Sequence, residues 1–154
     1  MANDASERLK KIVRFAMDNE RLSAELYKGL AQSNSKPALA RMCMKFAREE
    51  EEHLFKLESL IEGPHLTPPD ADILGRITVA DCPVPDEDPR SMDSEGLLRF
   101  ALAKESAAQR LYSDLAEASR ETWVKELFLL LAEQEGVHRM RFEAELERIG
   151  CMRQ

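Results

Sequence analysis

The chain has 154 residues, enough for one domain with a proper core, and 44% of them are hydrophobic. Its formal net charge of −7 leaves no basic stripe to meet phosphates, which excludes a nucleic-acid binder. No apolar run approaches the ~18–20 residues that span a bilayer, and Cys43, Cys82 and Cys151 form neither a Cys-x-x-Cys pair nor a disulfide framework.

A first helix is expected over 6–33, with Ser6 as its N-cap. Leu9, Val13, Ala16, Ser23, Tyr27 and Leu30 make a core-facing stripe in three- and four-residue steps, and Glu20 falls within it. A short turn at 34–36, with Asn34 as cap and Pro37 in the first turn, leads into a second helix over 37–62. Glu50 and His53 interrupt its stripe of Leu39, Cys43, Phe46, Leu57 and Leu60. Residues 63–91 carry Pro64, Pro68, Pro69, Pro83, Pro85 and Pro89, which forbid a continuous helix. They read as a crossover running the length of a bundle, with one short helical turn within 70–77. A third helix over 92–118, capped by Ser91, carries Leu98, Ala101, Ala108, Tyr112 and Leu115, with Glu105 inside the stripe. A fourth over 121–149, capped by Ser119, carries Val124, Phe128, Leu131, Phe142 and Ile149, with Glu135 and His138 inside. The fold class is therefore all-α: an antiparallel four-helix bundle, forming one domain from two helical hairpins, 6–62 and 92–149, joined by the crossover.

The charged residues on these stripes form a pattern. Glu50-x-x-His53 lies 30 residues after Glu20, Glu135-x-x-His138 lies 30 residues after Glu105, and the two sets are 85 residues apart. Slid by that interval, Arg14-Phe15-Ala16 falls on Arg99-Phe100-Ala101, Leu26-Tyr27 on Leu111-Tyr112, and Leu30-Ala31 on Leu115-Ala116, with no gap. This register indicates duplication of a hairpin. Glu20 and Glu50 are equidistant from position 35, and Glu105 and Glu135 from position 120, so all four carboxylates should meet on one level near mid-bundle. Each histidine, three residues from its glutamate, shares its face about one turn away. One Glu from each of two helices and one Glu-x-x-His from each of the other two is the donor set of a carboxylate-bridged two-metal site. Hard oxygens and imidazole nitrogens suit Fe, Mn or Zn, whereas Ca or Mg favour all-oxygen sites.

Other candidates are weighed against plainer roles. Tyr27 and Tyr112, each seven residues after a pattern glutamate, are either partners hydrogen-bonded to a ligand carboxylate or core aromatics with a satisfied hydroxyl; their repetition favours the first. Glu49, Glu51 and Glu52 read as solvated helix charges, because their counterparts Gln134, Gly136 and Val137 keep no carboxylate. His65 reads as a loop residue, Cys43 as a packed thiol and Trp123 as packing.

The stretch Ala16-Met17-Asp18-Asn19-Glu20 through Tyr27, with Glu50-x-x-His53 and the counterparts of both, resembles the rubrerythrin family of the ferritin-like superfamily. The resemblance covers both hairpins. It implies two Fe ions per chain, held by Glu20, Glu50, His53, Glu105, Glu135 and His138, that react with hydrogen peroxide or dioxygen in a homodimer. Two departures stand out. The four-cysteine rubredoxin-like module of rubrerythrins is lacking here, so electrons would come from a separate donor protein. The family's extra glutamate, three residues beyond the third-helix ligand, is replaced by Ala108. The leading expectation is thus a cytoplasmic di-iron peroxidase or oxidoreductase, since Met1-Ala2-Asn3-Asp4 lacks the regions of a signal peptide. The alternative is a ferroxidase or iron-binding, iron-storage protein. An oxygenase and a purely structural metal site remain behind both.

Overall fold

A computed structural model of the protein describes residues 2–33, 35–63, 67–85 and 88–152. Four long helices dominate: α1 (Ala2–Ser33), α2 (Pro37–Glu62), α4 (Ser94–Ala118) and α5 (Thr122–Met152). Between the halves lie a single turn, α3 (Ala71–Leu74), and a 3-10 turn at Pro89–Ser91. No strand occurs among the described residues. The all-α bundle of two hairpins is as expected.

The helix ends differ from the expected caps. Ser6 lies inside α1, which starts at Ala2. Ser91 closes the 3-10 turn, and Asp93 caps α4 instead, its Oδ1 accepting from the Gly96 N–H at 2.7 Å. A carboxylate there both satisfies an orphan N–H and faces the positive end of the helix dipole. Lys36, in extended conformation, precedes α2 with Pro37 in the first turn, and no side chain caps it. Asn34 and His65 lie outside the described residues. Ser119 ends α4 rather than starting α5: its hydroxyl donates to the Leu115 carbonyl at 2.6 Å.

Within each hairpin the helices pack along their length, α1 on α2 and α4 on α5; the halves meet through α1 with α4 and α2 with α5. The apolar core comes in two blocks. Leu9, Val13, Leu57, Leu60, Leu115, Phe128 and Leu131 form one, and Leu74 and Ile77 of the crossover close it. Leu26, Leu30, Leu39, Phe46, Leu98 and Phe142 form the other. Each fully buried side chain of this size contributes about 1.5–3 kcal/mol, so the two blocks hold a charged layer between them that could not stabilise itself.

Candidate metal centre

That layer consists of Glu20 on α1, Glu50 and His53 on α2, Glu105 on α4, and Glu135 and His138 on α5, all at most 2% exposed. A step of three residues brings each Glu-x-x-His pair onto one helix face. The antiparallel hairpins then carry the four glutamates to one height, as their equal distances from the turns require.

Both histidines turn Nδ1 inward. His53 Nδ1 lies 2.8 Å from Glu135 Oε1, 3.5 Å from Glu20 Oε2 and 3.9 Å from Glu50 Oε1. His138 Nδ1 lies 2.8 Å from Glu50 Oε1, 3.5 Å from Glu105 Oε1 and 4.0 Å from Glu135 Oε1. Two overlapping donor groups result: Glu20, Glu50, His53 and Glu135, and Glu50, Glu105, Glu135 and His138. Glu50 and Glu135 belong to both groups and would be the ones shared between two ions, while Glu20 and Glu105 each belong to one.

The surrounding contacts cross between the repeats. The Tyr27 hydroxyl donates to Glu105, and the Tyr112 hydroxyl donates to Glu20, so each tyrosine serves the glutamate of the other half. Both phenols are pushed well above the ordinary tyrosine range, by burial first and then by the nearby carboxylates, and so keep the proton they donate. His53 Nε2 lies 2.6 Å from Gln134 Oε1, and His138 Nε2 lies 2.6 Å from Glu49 Oε2. An acceptor oxygen at each outer nitrogen puts the ring proton there and leaves the Nδ1 lone pair facing the centre.

Glu49 is therefore no solvated helix charge. The reading from its counterpart failed because Gln134 keeps the acceptor oxygen while losing the charge, and an acceptor is what the histidine needs. Both residues lie four before a histidine on the same helix, the signal that could have marked them. Glu51, by contrast, pairs with Lys28 in solvent, as expected. Lys104 also escaped the sequence reading. It is 3% exposed, beside Glu105, and donates to Asn19, its own counterpart in the repeat. Cys43 is packed as expected, its thiol pushed up to about 12 by burial and by Glu145. Trp123 is 46% exposed, so the expected packing role is not what the structure shows.

The electrostatics are those of buried carboxylates crowded onto one centre. Burial, then the neighbouring glutamates, holds Glu50 and Glu135 well above the usual carboxylate range. Glu20 is lowered: burial opposes this, but the close approach of Glu50 and His53 and the hydrogen bond from Tyr112 prevail. Burial likewise opposes charge on the histidines, yet Glu20 and Gln134 raise His53, and Glu105 and Glu49 raise His138. Among the described residues, seven buried side-chain atoms have no hydrogen-bond partner: Glu20 Oε2, both Glu50 oxygens, His53 Nδ1, Glu105 Oε2, Glu135 Oε1 and His138 Nδ1. Orphaned polar atoms are costly singly. Converging from six residues onto one centre, they fit bound cations.

Residues 96–153 match the Rubrerythrin family model, which places the second hairpin's Glu105, Glu135 and His138 inside the matched segment. A hypothetical protein from Pyrococcus furiosus shares the fold at a TM-score of 0.69 and 27% identity, over 90% of this chain and 88% of that one. No curated protein matches the chain. The bundle, its buried carboxylate–histidine layer and the matched segment agree: residues 96–153 of this chain are similar to the Rubrerythrin family, which belongs to the ferritin-like superfamily.

Proposed function

We propose that the chain is a di-iron carboxylate oxidoreductase, reducing hydrogen peroxide or dioxygen with electrons from a separate donor protein. The observation that carries this reading is the convergence of seven unpartnered donor atoms on one buried centre. Glu20, Glu50, His53 and Glu135 would hold one ion, and Glu50, Glu105, Glu135 and His138 the other. Four carboxylates balance two divalent charges. Held by these residues, two ferrous ions would supply the electron pair that reduction of a peroxide requires. The chain's part is to position and to exclude. Tyr27 and Tyr112 fix one oxygen each of Glu105 and Glu20, leaving the second for the metal side. Gln134 and Glu49 hold the ring planes. Phe46, stacked on His138 at 4.0 Å between ring centroids, and Phe142 keep bulk water from that side.

The homodimer belongs to this proposal. Trp123, Leu130 and Val137, spaced by seven on α5 and 40–49% exposed, supply an apolar stripe that a second copy can cover. No helix among the described residues is long and apolar enough to cross a membrane.

The test is anaerobic loading with Fe(II), followed by peroxide with and without a reductant. Two irons per chain and sustained peroxide reduction support the oxidoreductase. One round of oxidation, with iron accumulating in a large particle, would establish the ferroxidase or storage reading instead.

A further inference from the structure

The two histidines hold mirrored relations to the centre but not to what lies behind them. Their inward contacts match closely: 2.8, 3.5 and 3.9 Å around His53 Nδ1, and 2.8, 3.5 and 4.0 Å around His138 Nδ1. Behind them, His138 Nε2–H donates to a carboxylate, Glu49, and His53 Nε2–H donates to a neutral amide, Gln134, both at 2.6 Å. Glu49 and Gln134 are counterparts 85 residues apart, so this substitution sets the two histidine frames apart. A second difference has the same sense. Phe46 stacks on the His138 ring, while its counterpart Leu131 offers His53 no ring face.

We propose that the two metal positions are inequivalent, with Glu49 making the Glu105–His138 position the tighter one, which fills first. This rests on the two-metal reading of the centre. The cause is the charge of the outer acceptor. A carboxylate draws on the Nε2 proton more strongly than an amide carbonyl, which leaves more electron density on the Nδ1 lone pair facing the metal. Outer partners of this kind shift metal affinity by about 10–100-fold. The Lys45 ammonium, 3.8 Å from Glu49 Oε1, approaches the other oxygen and leaves Oε2 to the ring. Glu49 and Gln134 are thus positioning residues, acting through the histidines. At limiting metal the chain should collect as a one-ion form, with the His53 position open.

The experiment is titration of chelator-stripped protein with Mn(II), read by electron paramagnetic resonance, which separates single uncoupled ions from coupled pairs. At one equivalent, a 10–100-fold difference leaves about 60–80% of chains with a single ion, against about half for equal positions. Wild type should show the higher figure. Glu49→Gln and Gln134→Glu should each fall to about half, the first with two weak positions and the second with two tight ones. Exchanging both should restore the wild-type figure with the order reversed. Zn(II) titration followed by histidine ring resonances reads that order: His138 moves first in wild type and His53 in the exchanged protein. Equal single-ion fractions in wild type and both single variants would overturn the proposal, as would His53 moving first in wild type. Should one variant fail to fold by circular dichroism, the other gives the same contrast. Failure of wild type to take up Mn(II) or Zn(II) would overturn the metal centre itself, and this inference with it.

Discussion

Tyr27 hydrogen-bonds Glu105, across the bundle, and not Glu20, the glutamate seven residues before it on its own helix. The hydroxyl is wholly buried and its acceptor is a carboxylate, so its loss exposes nothing to water that could replace it. Tyr27→Phe should destabilise the metal-loaded protein by about 1.5–3 kcal/mol, the range for hydrogen bonds to charged groups. Tyr112→Phe should do the same through Glu20. Urea unfolding of each variant against wild type measures this; a change under ~0.5 kcal/mol in both would show that the crossed bonds carry no energy.

Removing metal should lower stability substantially. A ligand that binds only the folded state adds about 4 kcal/mol at a thousandfold excess over its Kd. For a domain of this size, 1 kcal/mol moves Tm by about 2–4 °C. Thermal melts of verified apo and loaded protein should differ by about 8–16 °C. Superimposable melts would count heavily against a buried two-metal site.

The apo protein should lose stability as pH rises. Glu50 and Glu135 are raised by burial and then by neighbouring carboxylates. A raised carboxyl contributes stability that is fully present below its unfolded value and is lost as pH climbs through the folded one. His53 and His138, raised by Glu20 and Glu105 despite burial, act in the same direction from 6.5 upward. Glu20, lowered by the approach of Glu50 and His53 and by the Tyr112 hydrogen bond against the effect of burial, acts oppositely, and only as pH falls below 4.5. The apo Tm should therefore drop as pH rises above the ordinary carboxyl value of 4.5, while the gain from metal, which requires the deprotonated carboxylates, should widen in the same direction. Calorimetry at four pH values, with chelator and with metal, checks both trends.

Three adjacent glutamates should separate cleanly. If the centre holds two ions as proposed, Glu50→Ala removes a donor common to both groups, so bound metal should fall well below two ions per chain and peroxide-driven iron oxidation should vanish. Glu51→Ala breaks only an exposed pair with Lys28, and should change stability by less than ~0.5 kcal/mol and metal content not at all. Glu49→Ala should fall between them: both ions bind, but total affinity drops about 10–100-fold. Metal analysis after dialysis against graded chelator reads all three.

Much of this was legible in the sequence because it is periodic. Buried stripes at helical spacing located the four long helices, and a repeat without gaps located both halves of the centre. Equal distances from two short turns placed the carboxylates on one level, where the structure has them. The helix ends were less legible. Ser91 and Asp93 are both good caps, and the choice between them depends on where the crossover delivers the chain. Partners across the bundle were the least legible. Nothing local in Tyr27 says that it will reach Glu105 rather than Glu20, and nothing in Lys104 says that it will be buried against Asn19. Such contacts follow from how two hairpins dock, which spacing along one helix does not report.

Glu50 comes from the first hairpin and Glu135 from the second, yet each belongs to both donor groups. Neither hairpin holds a full set, and a half-length chain could build the centre only by pairing with a copy of itself. The twofold axis of such a pair survives where Asn19 meets Lys104, two counterparts in direct contact. In an assembly of identical halves, every residue appears on both sides of that axis. Joining the halves in one polypeptide removes the constraint, so that a lysine can face an asparagine and a glutamate can stand opposite a glutamine. The long crossover is thus what allows a symmetric frame to carry an asymmetric centre.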